Sequence, residues 1–81
     1  MNTTTTKTLP TRSEIKIGGV VFFELKSNRG SFSTGIVEKI LTNHEAHPYG
    51  IMVKVQDGKI GRVKMILPPN FVPAEEMGVI V

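Results

Sequence analysis

An all-β domain, closed into a small barrel of four to five antiparallel strands, is the fold class that this chain predicts. Three observations carry the prediction. Ile51, Val53 and Val55 alternate with Met52, Lys54 and Gln56, the period of a half-buried strand. Asp57-Gly58 then separates that run from Lys59-Ile60, and Asp-Gly between apolar runs is a strong hairpin signal, because a type I′ turn needs positive φ at both central residues. Finally, the chain has 81 residues, 40% of them hydrophobic. A domain of this size buries only about 60% of the surface its unfolded chain exposes, which favours a closed sheet over an open one.

Taken in order, residues 1–12 contain a run of four threonines and little that one face can bury. They read as a disordered tail. Residues 13–72 form the barrel domain. Ser13 to Lys26 is the first strand with its lead-in: Ile15 and Ile17 alternate with Glu14 and Lys16, and Gly18-Gly19 makes a bulge or tight bend. Val21, Phe23 and Leu25 then line one face, with Val20, Phe22 and Glu24 on the other. Ser27 to Ser33 is a loop rich in turn residues.

Thr34 to Leu41 is the second strand. Val37 and Ile40 cannot share a face at a side-chain period of two, so a bulge near Glu38-Lys39 is expected to bring both inward. Thr42 to Gly50 is a loop that holds His44, His47, Pro48 and Tyr49. The two-residue turn pairs Val55 with Ile60 and Val53 with Arg62. A bulge at Gly61 is then needed to send Arg62 outward and Val63 inward. Pro68-Pro69 ends the strand after Leu67, and Asn70-Phe71-Val72 forms one 3₁₀ turn over the barrel mouth. Residues 73–81 are a C-terminal extension whose apolar Met77 to Val81 is a candidate extra strand.

Four or five short twisted strands with glycine-marked bends suggest an SH3-like barrel. Residues Ile15 to Ile66 resemble the YwbE-like family, small bacterial proteins with a domain of unknown function. The matching positions are Ile15-Lys16, Gly18, Leu25-Lys26, Gly35, Val37, Ile40-Leu41-Thr42, His47-Pro48, Gly50-Ile51, Val53, Gly58 and Gly61-Arg62-Val63. The chain departs from the family at Ile17, where proline is usual, and in the contracted loop Ser27-Asn28-Arg29-Gly30. The resemblance implies a compact β domain similar to KOW-type ribosomal and transcription-factor modules. It brings no assigned activity.

The chemistry available is narrow. With no cysteine, disulfides, thiol catalysis and cysteine-based metal sites are excluded. Small secreted domains usually carry disulfides and the N-terminus shows no secretory signal, so a cytoplasmic location is expected, with no membrane association. His44, Glu45 and His47 leave a tetrahedral metal site short of ligands, and no metal or other cofactor is expected. Ser31 and Ser33 have no nucleophile elbow, Glu24 and Glu38 facing each other across the first two strands would be a solvated pair, and no phosphate-binding glycine loop is present. A non-enzymatic protein is expected.

The remaining signal is basic. Ten lysines and arginines against seven acids give a net charge of +3. Lys54, Lys59, Arg62 and Lys64 fall in one hairpin, with Lys54 and Lys64 on its outward face and Lys39 on the neighbouring strand. Arg29 and Phe32 extend the patch from a loop, and Phe32, Tyr49 and His47 supply stacking groups. These nine residues form the expected nucleic-acid surface of a monomer that binds RNA or the ribosome. The alternative is a protein-interaction module that uses a groove near Phe32, Tyr49 and Phe71, or the apolar C-terminal segment.

Overall fold

A short 3₁₀ turn, rather than a strand, opens the barrel domain in the computed structural model, which describes residues 9–74. The turn spans Arg12–Glu14. Thr11 N–H donates to Glu14 Oε1 at 2.9 Å, so a polar residue just before the turn and a carboxylate in its first turn satisfy each other, as helix N-termini require. The domain boundary set at residue 12 therefore falls inside an ordered turn, which is bound to the far loop. Arg12 N–H donates to Glu45 O at 2.8 Å, Arg12 Nε donates to Thr42 O at 2.9 Å, and the Ser13 hydroxyl donates to Glu45 Oε2. The rest of the expected tail, residues 1–8, lies outside the described residues, as does Met77–Val81, the candidate extra strand.

Ile15 and Ile17 do not alternate on one strand face. Ile15 is buried and Ile17 is 62% exposed, because Lys16 to Gly19 is a tight turn closed by Gly19 N–H to Lys16 O at 2.9 Å. Its end zips onto the sheet through Gly18 N–H to Val37 O and Val37 N–H to Gly19 O.

The sheet has four strands: β1 (Val20–Leu25), β2 (Phe32–Ile40), β3 (Met52–Val55) and β4 (Ile60–Ile66). Each pairs antiparallel with the next, and β4 closes on β1 to make a barrel. The core is the inward set Ile15, Val21, Phe23, Val37, Ile51, Val53, Val55 and Val63, with Leu25 and Ile40 packed against it. As the sequence pattern requires, β2 carries a bulge at Glu38: Val37 pairs with Val55, but Lys39 with Lys54 and Ile40 with Val53. One extra residue therefore separates two inward side chains.

The hairpin register differs from expectation by one residue. Lys54 pairs with Ile60, Val53 with Gly61 and Met52 with Arg62. Gly58 N–H donates to Val55 O, and Val55 N–H donates to Lys59 O. Val55 and Lys59 thus flank a three-residue loop with Gly58 at φ 98, the common arrangement in which one residue past a tight turn takes the left-handed region. Arg62 then faces outward by simple alternation, and no bulge is needed at Gly61. The second bulge lies at Lys64 instead, where β1 pairs Phe23 with Val63 but Phe22 with Met65. The expected cover over the barrel mouth is also different. Phe71 N–H donates to Pro68 O at 2.9 Å, yet Phe71 and Val72 are exposed and Pro73 is the buried residue.

Gly61 is where the barrel is tightest. A Cβ there would lie 2.1 Å from Glu24 O and 2.6 Å from Phe23 Cδ2, and neither a paired strand backbone nor a fully buried ring can yield. Gly61→Ala is expected to destabilise the fold by about 3 kcal/mol or more, to the point of preventing folding. Gly58→Ala, strained in φ but sterically open, should cost only about 1–2 kcal/mol. Urea denaturation of the two variants checks the order.

The Glu45 bridge to the 3₁₀ turn makes a separate prediction. Its carboxyl is held below the ordinary 4.5, first by the Ser13 hydroxyl. A carboxylate more acidic in the fold than in the unfolded chain contributes stability above about pH 4.5 that is lost as pH falls through the folded value. Denaturation midpoints should therefore fall more steeply below pH 4.5 for the wild type than for Glu45→Gln.

Candidate functional site

At the end of the barrel where β1 runs into the loop 26–31, a groove of about 320 Å³ lies between that loop and the loop before β3. It is lined by Glu24, Leu25, Lys26, Arg29, Tyr49, Met52 and Arg62. Three of the expected binding residues, Arg29, Tyr49 and Arg62, meet here. The floor is set by strand pairing. Glu24 on β1 stands opposite Phe32 on β2 and Arg62 on β4, and Arg62 stands opposite Met52 on β3. All four residues of this cross-strand row are on the outer face.

The walls are held by the cations themselves. Arg62 Nη1 donates to Gly50 O at 2.9 Å, and Lys64 Nζ donates to Tyr49 O at 2.6 Å. Lys64 also lies 3.6 Å from Glu24 Oε1. Across the groove, Gly30 N–H donates to Glu24 Oε2 at 2.7 Å and so ties the loop that carries Arg29 to the strand. That hydrogen bond is the main cause that keeps the Glu24 carboxyl more acidic than usual, with Lys64 and Arg29 adding to it.

Tyr49 is 69% exposed. Its ring lies 6.0 Å from the His47 ring at a tilt of 50°, and its N–H donates to His47 Nδ1 at 3.1 Å. Desolvation lowers the His47 pKa, and Arg62, His44 and Lys64 lower it further, so its ring nitrogen stays an acceptor near neutral pH. Phe32 is the first residue of β2 and not a loop residue. It stacks parallel on Phe22 with ring centroids 5.3 Å apart and remains 48% exposed.

The other expected residues lie further out. Lys54 is a diagonal neighbour of Arg62 on the outer face of the hairpin and stands directly opposite Lys39. Arg62, Lys54 and Lys39 therefore form a band around the outside of β4, β3 and β2. Lys64 is four residues from Ile60, the partner of Lys54, or roughly 13 Å along the strand. Lys59 is at the hairpin tip, ion-paired with Asp57 at 2.7 Å. Glu24 does not face Glu38 as expected; because the loop is short and β2 begins at Phe32, its partner is Phe32. Glu24, Lys26 and Met52 join the groove without having been assigned to a binding surface. Among the described residues no group of three histidine, cysteine, aspartate or glutamate side chains is placed to hold a metal ion, and no helix is long and apolar enough to cross a membrane.

Comparison with known proteins agrees with the resemblance read from the glycine and His-Pro positions. No solved structure matches the chain. The chain is similar to the uncharacterized protein YwbE of Bacillus subtilis (strain 168), 40% identical over 58 residues that cover 69% of this chain and 89% of that protein. Residues 8–66, which take in the 3₁₀ turn and all four strands, match the family described as uncharacterized conserved protein (DUF2196), and the chain belongs to that YwbE-like family.

Proposed function

We propose that this small β-barrel is a non-enzymatic, cytoplasmic module that binds single-stranded RNA, free or in the ribosome. The observation that carries the reading is the groove that combines an exposed aromatic ring, Tyr49, with Lys26, Arg29 and Arg62. Single-stranded nucleic acid is held by this combination, with cations on the phosphates and an aromatic face on a base. The band from Arg62 through Lys54 to Lys39 offers a path for the backbone beyond the groove. Lys39 and Lys54 support the reading from another side. Like charges directly opposite on a sheet are destabilising, and a bound anion relieves that repulsion.

A protein-interaction module is the second reading. A mainly apolar groove of about 380 Å³ lies at the other end of β1, between Val20-Val21 and Ile66, Leu67 and Pro69, with Glu14 and Lys16 also among its lining residues.

Fluorescence anisotropy with a labelled oligouridine, across about 50 to 300 mM salt, separates the two. Three or four phosphate contacts give a slope of log K against log salt of about −2 to −3. Absence of binding at low salt overturns the RNA reading and moves attention to the apolar groove. Tyr49→Ala is expected to weaken binding by about 1–3 kcal/mol, and Arg29→Glu to weaken it and flatten the slope; both side chains are exposed, so the fold survives. Lys39→Glu should weaken RNA binding while raising stability by about 0.2–1 kcal/mol, since an opposed pair replaces a like one. Anisotropy and urea denaturation on one sample read the two effects.

A further inference from the structure

Resting on the reading of the groove as an RNA surface, we infer that it selects a guanine base and that Glu24 is the residue that recognises it. A groove built for phosphate alone gains nothing from a carboxylate, which repels the ligand. Yet Glu24 is in the floor, on a rigid strand, between Phe32 and Arg62 in the cross-strand row.

Ionised carboxylates only accept, through about four lone-pair positions. Oε2 takes the Gly30 N–H, and Oε1 is 3.6 Å from Lys64 Nζ, beyond ordinary hydrogen-bond length. Acceptor capacity is left for a ligand in the groove. Guanine is the RNA base that presents two adjacent N–H donors, N1–H and the N2 amine, on its Watson–Crick edge. Adenine and cytosine each put a ring acceptor beside their amine, and uracil flanks its single N–H with two carbonyls. Both arrangements set a lone pair against the carboxylate. Base edges of single-stranded RNA are read in this way, with the base stacked on an aromatic ring, and Tyr49 lines the same groove. The volume, about 320 Å³, is at the small end of ligand clefts and suits one nucleotide. Lys26, Arg29 and the spare donors of Arg62 meet the flanking phosphates.

The test is anisotropy at fixed low salt with short uridine oligomers that carry one central guanine, inosine or adenine. The wild type should prefer guanine over adenine by about 5- to 100-fold, with inosine, which lacks the N2 amine, between them. In Glu24→Gln, which keeps an acceptor for the Gly30 N–H, the preference should collapse towards one while uridine oligomers bind at least as well. A loss of loop structure alone would lower binding to all oligomers together and leave the ratio, which would overturn the role of Glu24. Equal, salt-sensitive binding of all three oligomers by the wild type overturns the guanine inference and leaves the RNA reading standing. No binding to any of them removes both. Competition by GMP distinguishes the source of the base: a GMP as tight as the oligomer would show that the flanking phosphates contribute nothing and overturn the inference as stated for RNA.

Discussion

Four strands are very few with which to close a barrel. Eight strands give an interior just wide enough for side chains to fill, so in a four-stranded barrel the inward positions compete for the same axis. Phe23 takes most of that space and is fully buried. Around it, two inward positions carry no side chain. Gly35, opposite Val21, would put a Cβ 2.9 Å from Val55, and Gly61, opposite Leu25 on one side and Val53 on the other, would strike Phe23 and the β1 backbone. The remaining core is mostly valine, compact and stiff in χ1. Closure also needs strong twist, supplied by the bulges at Glu38 and Lys64.

Those devices place the groove. At each bulge two consecutive side chains face outward. On β4 the pair is Lys64 and Met65, and the extra residue lets Lys64 reach Tyr49 O and the edge of Glu24. On β2 the pair is Glu38 and Lys39, and the shift brings Lys39 opposite Lys54. Gly61 on the inward side fixes its neighbour Arg62 on the outward side, in the row with Glu24 and Met52. The constraint that makes the core possible thus also sets the spacing of the surface charges.

Much of this was legible in the residues because period and volume leave little choice. The inward set follows from alternation, and the Glu38 bulge follows from Val37 and Ile40 both being apolar. The register of the hairpin was not legible in the same way. Asp-Gly serves both a two-residue turn and the last two positions of a three-residue loop, and the choice depends on whether Gly61 fits the crowded axis, a tertiary fact. With Gly61 inward, the register follows from alternation. The lead-in failed for a related reason: Ile15 and Ile17 alternate in sequence, but Lys16 to Gly19 turns, and only one of the two isoleucines reaches the core. In the groove, Arg29, Tyr49 and Arg62 stood out by residue type. Glu24 did not, because its meaning depends on its cross-strand neighbours.

The cations in and beside the groove are not equivalent, although net charge counts them alike. Arg62 and Lys64 each hold a loop carbonyl. A lysine has three donors on one nitrogen, and Lys64 gives one to Tyr49 O while its charge faces Glu24. An arginine has five donors in a planar fork, and Arg62 keeps most of them after serving Gly50 O. Arg29 and Lys26 stand on a loop, but the Gly30 N–H to Glu24 contact limits how far that loop can move. The groove therefore has a fixed floor and two pinned walls, with most of the Arg62 donors left for a ligand. A site of that kind is expected to discriminate by geometry, and its preorganisation favours affinity, because little conformational entropy remains to be lost when the ligand arrives.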